Sequence, residues 1–378
     1  MSDAVLVDPA PPGGKLGWRR GVRRAPLGVA VAVILFALVW ILFWAPNTNF
    51  GSAVDNPNQF VTTLLNSITL AALMFIVASG FSLIFGLMRV VNMAHGSFLL
   101  LGGYIAYEIQ QSMTHGGGVT VFSSDINAWE WIVPAIVAMA AIAVLGLVTQ
   151  QVFLRWNMGQ DLRQALITIA ISVIVADQIV AHFPRESSIQ KGSAVDTSWP
   201  GSIDRLVDLH VAGVSFSLAR LIMIGLGVAV GGVLWLWLYR TRTGMVIRAG
   251  VDDGQMTSAI GVNIQVTFAI AFVVGAALAA LGGSVFASYA GVNPTTDGQW
   301  LLNSLVVVII GGLGSIFGTV AGALLYGFVY NFAIAYLPTG VLQTTNGDCC
   351  TQYSIVLTFV LLALVLAFRP QGLFGKTA

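Results

Sequence analysis

Three observations predict an all-α polytopic membrane protein of about eight to ten transmembrane helices, two of its segments broken by glycine-rich stretches. The first is composition. Of 378 residues, 57% are hydrophobic and only 9% charged, with a mean hydropathy of +0.85, and no water-soluble domain of this size carries so little charge on its surface. The second is run length: the apolar stretches reach about 20 residues with no period-two alternation, so the spans are helices and not barrel strands. The third is interruption. Glycines and polar residues cut two of the apolar stretches, and irregular backbone inside a membrane survives only where it lines a cavity or is buried in protein. Nothing in the net charge of +1 points to nucleic acid.

Residues 1–26 read as a cytoplasmic tail that ends in Arg19, Arg20, Arg23 and Arg24, and 27–378 as a single transmembrane domain. Leu27 to Trp44 is the first span, flanked by those arginines inside and by Trp40 and Trp44 outside, as the positive-inside bias and the aromatic belt require. No small-residue cleavage site follows it, so it is expected to be an uncleaved anchor. Ala45 to Gln59 is an external loop, and a second span starts at Phe60.

Asn66 to Tyr104 is apolar but carries Asn92, His95 and Ser97, with Gly86, Gly96, Gly102 and Gly103. Polar groups at such depth are costly, and discontinuous helices are the expected consequence. Trp131 to Val152 and Ala165 to Phe183 are the next spans, and Pro184 to Ser215 is a polar external loop. Phe216 to Tyr239 returns inward.

Arg240 to Gly261 is a polar island between two apolar runs. Asp252 is placed to cap a short helix, Gln255 to complete a capping box, and Gly261 to stop the helix in the left-handed region, so about eight residues from Asp253 to Ile260 are expected to be helical. So short a helix is marginal alone. Its apolar set of Met256, Ala259 and Ile260 fits a cleft on another protein, which makes 240–263 the expected coupling segment.

Ile264 to Ala290 crosses outward with small residues at Gly275, Gly282 and Gly283, which permit close helix approach. Asn293 to Gln299 reads as an external turn. Leu301 to Leu337 contains the second break, Gly311-Gly-Leu-Gly-Ser-Ile-Phe-Gly318, and Leu302-Asn303-Ser304 echoes Leu65-Asn66-Ser67 ahead of the first. Pro338 to Gln352 is external, Tyr353 to Phe368 is the last span, and the C-terminus lies inside. This topology puts thirteen basic residues inside and four outside, the asymmetry an oriented membrane protein shows.

Several chemistries are excluded or weakened. Gly375-Lys376-Thr377 has the end of a phosphate-binding loop, but the first glycine of that motif would fall at Pro370, so ATP is expected to be hydrolysed on another subunit. Cys349 and Cys350 are the only cysteines, with a vicinal disulfide, free thiols and a partner contact all open, and a metal site is not expected. Glu108 and Asp177 lie near the outer ends of their spans. An ion-coupled carrier would need more buried charge, and an intramembrane enzyme would need paired catalytic groups.

Four motifs occur in order from about residue 60 onward: Asn92-x-Ala-His-Gly96 within Gly86 to Tyr104; Arg248-Ala249, Asp252-Asp253, Ser258-Ala259 and Gly261-Val262 in the polar island; Gly311-Gly-Leu-Gly-Ser-x-x-Gly318; and Arg369-Pro-x-Gly-Leu373. Together they resemble the permease subunits of the branched-chain amino-acid ABC importer family. The resemblance implies a transport subunit in the cytoplasmic membrane of a prokaryote. It implies a second homologous permease, two cytosolic ATPases that bind the ATP, and an external substrate-binding protein. Branched-chain or other neutral amino acids are the implied substrates, with urea and short amides the alternative in a similar branch. Asn66, Asn92, His95, Ser97, Gly311, Gly312 and Gly314 are then the expected path residues, the two broken segments facing one another. Arg248, Asp252, Asp253, Ser258 and Gly261 are the expected contacts to the ATPase.

Overall fold

The computed structural model describes residues 57–88, 91–115, 127–157, 160–182, 197–201, 203, 205–209, 214–293, 296–336 and 349–375. All lie in one compact unit, Asn49–Ala378. The tail and first span expected over residues 1–44 fall outside the described residues, as does most of the loops expected at 45–59, 184–215 and 338–352.

Helix α1 (Pro57–Met88) is the centre of the protein. It contains no charged residue, and 83% of its span is buried, as a helix apolar on every side must be. Against it pack α5 (Leu218–Arg240), α8 (Ile264–Ala290), α9 (Asp297–Gly311) and α10 (Ile316–Tyr336). Burial falls outward from this centre, to 56% for α8 and 17% for α4 (Asp161–His182). The outer helices therefore keep apolar faces for lipid or for other chains.

Close packing replaces the hydrophobic effect where the solvent is itself apolar. A Cβ on Gly80 of α1 would stand 2.5 Å from the Gly275 carbonyl oxygen of α8, so only glycine allows the two backbones this approach.

Among the described residues, six helices are long and apolar enough to cross a membrane, and α9 and the end of α11 (Cys349–Phe368) are shorter apolar helices. Helix α2 (His95–His115) follows the first break. Helix α3 (Trp129–Val148) continues through a wide turn, Thr149–Leu154, to Asn157. The chain is thus an all-α polytopic membrane protein.

Three details correct the sequence reading. The segment before α5, expected to be external, is not wholly irregular: β1 (Leu206–Leu209) pairs antiparallel with β2 (Val214–Ser217), so Phe216, expected to open a span, lies in a strand. The described part of that segment, 197–201, is also anchored. Gln110 accepts from Ser198 N at 2.9 Å and donates to the carbonyls of Ser198 and Glu130 at 3.0 and 3.2 Å, while Trp131 and Trp199 stack at 5.1 Å and both donate to Ser288.

The second correction concerns the polar island, which forms two helices. The first is α6 (Arg242–Asp252), capped by Thr241, whose Oγ1 accepts from Gly244 N at 3.1 Å. Asp252 belongs to its last turn, so the cap of the short helix α7 (Gly254–Ala259) is Asp253, with Oδ1 accepting from Met256 N at 2.9 Å. The expected capping box with Gln255 is therefore one residue out of register. Gly261 does turn left-handed, at φ +87°.

Third, the stretch Asn293 to Gln299 is not a purely external turn. Helix α9 begins at Asp297, and that residue packs against α2 and the middle of α4.

Candidate translocation and coupling sites

The first break is a re-entrant turn. Helix α1 ends at Met88, and α2 starts at His95, whose Nε2–H donates to the Val77 carbonyl at 3.0 Å and whose ring meets Phe81 edge-on at 5.3 Å. The start of α2 is therefore set back alongside the interior of α1 and away from its end. Asn92 shapes the turn: Oδ1 accepts from Ala94 N at 3.1 Å, and its carbonyl accepts from His95 N at 3.2 Å. Asn92 and His95 are buried, so both point into protein and not into hydrocarbon.

Helix α4 closes the turn with a polar stripe. Gln164 and Thr168, buried, and Ser172, half-buried, recur every fourth residue, which is one face of a helix. Thr168 Oγ1 accepts from Met93 N at 3.2 Å, and Ser172 Oγ lies 2.7 Å from Ser97 Oγ. Both serine hydroxyls reach Asp297 Oδ2, at 3.2 Å from Ser97 and 3.4 Å from Ser172. Gly96 lies against the Asp297 backbone carbonyl, where a Cβ would collide. Three helices thus meet through one carboxylate and two hydroxyls.

The second break is a helical hairpin. Gly311 faces Gly318 across α9 and α10, and the Val307 carbonyl lies against Gly322, in each case nearer than a side chain would permit. Between the helices Gly312 and Gly314 take φ +107° and +79°. Gly314 also touches α1, where a Cβ on Gly86 would lie 2.9 Å from the Gly314 Cα. The C-terminal segment seals the turn, Leu373 N donating to the Ile310 carbonyl and Phe374 N to that of Gly311, both at 2.9 Å.

These placements divide the expected path residues. Ser97 meets α9 at its N-terminal end, whereas Gly311, Gly312 and Gly314 lie at its C-terminal end beside Gly86 and the C-terminal segment. Fifteen residues separate the ends of α9, about 22 Å at 1.5 Å per residue. The two broken segments do pack on one another, at Gly96 and Ser97 against Asp297 and at Gly86 against Gly314, but these contacts lie at opposite ends of α9, so the glycine turn does not meet Ser97. Asn66 stands apart from both, accepting from Arg220 Nη1 at 2.6 Å, with that guanidinium over the rings of Phe216 and Tyr289.

The segment expected to couple, 240–263, reaches the second motif. Ile247 of α6 is buried with Leu83, Leu87, Leu238 and Ala271, which roots the helix in α1, α5 and α8. Val251 lies 3.8 and 3.9 Å from the Cβ positions of Gly86 and Gly314. Arg248 stacks on Tyr239 at 4.5 Å. Beyond this root, Ser258 and Gly261 are exposed, and Met256 and Ile260 are 66% and 74% exposed on the far side of the Asp253 kink.

Asp297, Ser172 and Arg220 are the residues that sequence reasoning missed. A signal for Asp297 was present: the apolar run after it ends at Gly311, too short to cross a membrane from a wholly external turn.

The model of the family described as "Branched-chain amino acid transport system / permease component" matches residues 63–366. Among curated proteins, the chain is 28% identical over 327 residues to the high-affinity branched-chain amino acid transport system permease protein BraD of Pseudomonas aeruginosa, covering 84% of this chain and 96% of that protein. It is 27% identical over 323 residues to the permease protein LivH of Escherichia coli K12, with the same coverage. The ribose import permease protein RbsC of the same strain is 24% identical over 288 residues, covering 73% of this chain and 79% of its own. No solved structure matches. These relatives are transport permeases and not enzymes, and the chain described here is a multi-pass transport subunit. The match runs from α1 into α11 and so takes in the re-entrant turn, helices α6 and α7 and the glycine hairpin, and by it the chain belongs to the branched-chain amino acid transport system permease family.

Proposed function

We propose that the chain is one transmembrane subunit of an ABC importer that carries branched-chain or other neutral amino acids inward across the cytoplasmic membrane. The observation that carries this reading is the family match over residues 63–366, together with the transport function for which the relatives are named. A second homologous permease, two cytosolic ATPases and an external substrate-binding protein complete the assembly, surrounded by lipid. ATP is hydrolysed on the ATPases. Residues 27–378 are one permease domain with both chain ends in the cytoplasm, an orientation favoured by the distribution of basic residues.

Segment 240–263 is the contact to the ATPase. Its supports are the exposed Met256 and Ile260 beyond a capped kink and the buried root at Ile247. From there, Val251 against Gly86 and Gly314 gives the ATPase a mechanical hold on the hairpin, and through α9 on the Asp297 end. Arg248, Asp252, Asp253, Ser258 and Gly261 shape the coupling segment. Ser97 borders the substrate path, Asn92 and His95 hold the turn that positions it, and Asn66 fastens α1 to α5. Gly311, Gly312 and Gly314 form the hinge.

The test is uptake into proteoliposomes that hold the full assembly, with the binding protein outside. Labelled leucine, isoleucine or valine should accumulate and compete with one another, while excess urea leaves uptake unchanged. Accumulation of urea that leucine does not inhibit would replace the amino-acid reading by the amide one.

A further inference from the structure

Asp297 is a carboxylate set among the spanning helices, with no cation beside it among the described residues. Its depth follows from its neighbours: Ser172 is near the midpoint of α4 (Asp161–His182), and the start of α2 on which Asp297 also rests is tied to Val77 in the interior of α1. Oδ2 is held by Ser97 and Ser172. Oδ1 takes no hydrogen bond, and the side chain no ion pair, from any described residue.

The same turn is open on its other side. Gly298 and Gln299 are exposed, and nothing lies within 4 Å of a Cβ at Gly298. A charged carboxylate at this depth costs several kcal/mol unless water or a cation meets it. Two hydroxyls fix one oxygen and leave the other presented to the open side.

We infer that Asp297 is a substrate contact in the path, and that its free oxygen receives the α-ammonium of an amino acid in transit. This rests on the amino-acid reading above. An ammonium supplies the missing cation, and only a weak contact is needed, since a path that grips its load cannot release it. A protein held together merely by hydrogen bonds to Asp297 needs an acceptor at that position and not a charge. Asparagine keeps the acceptor for Ser97 and Ser172 and removes the charge, so Asp297→Asn separates the two roles.

The experiment uses the complete importer in proteoliposomes, with labelled leucine as probe and wild type as control. Asp297→Asn should assemble and hydrolyse ATP normally but lower leucine uptake about tenfold, the cost of losing one charge-assisted hydrogen bond, while half-saturation stays at the value set by the binding protein. A wild-type rate for Asp297→Asn overturns the proposal. So does an inserted Asp297→Asn chain that no longer joins its partner subunits, because the missing cation would then belong to a neighbouring chain. Should Asp297→Asn fail to insert, Ser172→Lys decides: a tethered ammonium beside Asp297 should block uptake, and normal uptake refutes the site. Absence of leucine uptake by the wild-type assembly would instead sink the amino-acid reading itself.

Discussion

Replacing Gly261, Gly86 and Gly314 by alanine, one at a time, separates backbone strain from crowding at the junction between the coupling helices and the hairpin. Gly261 has φ +87° and nothing within 4 Å of an added Cβ, so alanine there costs only left-handed strain, about 1 kcal/mol. Gly86 lies inside α1, but its Cβ would come 2.9 Å from the Gly314 Cα. Helix and turn must part, and overpacking of this kind costs about 1–3 kcal/mol. Gly314 combines both penalties, φ +79° and the Gly86 Cα at 3.1 Å, for about 2–4 kcal/mol. Thermal denaturation of the purified chain in detergent should therefore rank Gly261→Ala as mildest and Gly314→Ala as most severe. The Gly86→Ala, Gly314→Ala pair should be non-additive, because the two changes crowd one contact. Since Val251 touches the same junction, Gly86→Ala and Gly314→Ala should also lower the amino acid carried per ATP. If Gly314→Ala lowers the melting temperature no more than Gly261→Ala, the contact is not tight and the proposed mechanical link loses its basis.

Three further outcomes follow from the geometry. Asp253→Ala removes the cap of α7 and should cost the helix about 1 kcal/mol, weakening co-purification with the ATPase, whereas Asp252→Ala leaves the cap intact and should not; equal effects would contradict the assigned register. His95→Phe keeps the ring against Phe81 but loses the bond to the Val77 carbonyl, so it should lower thermal stability by about 1–2 kcal/mol with membrane insertion unchanged, and an unaltered melting temperature would remove His95 as the pin between α1 and α2. Gln110→Leu abolishes three hydrogen bonds to Ser198 and Glu130 and should expose the external loop to added protease from the outside, an effect measured by the cleavage rate in sealed vesicles.

Hydropathy made the helices legible, because in lipid an apolar run of sufficient length has one way to satisfy its backbone. Both breaks were legible for a related reason: polar residues and glycines have no business in such a run unless protein surrounds them. The left-handed turn at Gly261 was also readable, glycine being the residue that adopts it without strain. The cap at Asp253 was not, since two adjacent aspartates compete for it and the choice depends on where α6 ends. That end is set by Ile247 and Val251 packing on other helices, which no local pattern reveals. Asn293 to Gln299 has the composition of a turn, and its polarity hid that the short helix following it must begin inside the membrane. The polar stripe Gln164, Thr168 and Ser172 had helical spacing, but its partner at Asp297 is 125 residues from Ser172. The site at α9 is therefore a product of tertiary folding.

The central claim, a permease subunit driven by partner ATPases, is tested most directly by the energy source of uptake. The purified assembly is placed in proteoliposomes with the binding protein and labelled leucine outside and ATP or its non-hydrolysable analogue within. Ionophores that collapse proton and sodium gradients are added in parallel. The account predicts accumulation that requires both hydrolysable ATP and the binding protein and is indifferent to the ionophores. Accumulation that proceeds without ATP and stops when an ion gradient is collapsed would contradict it.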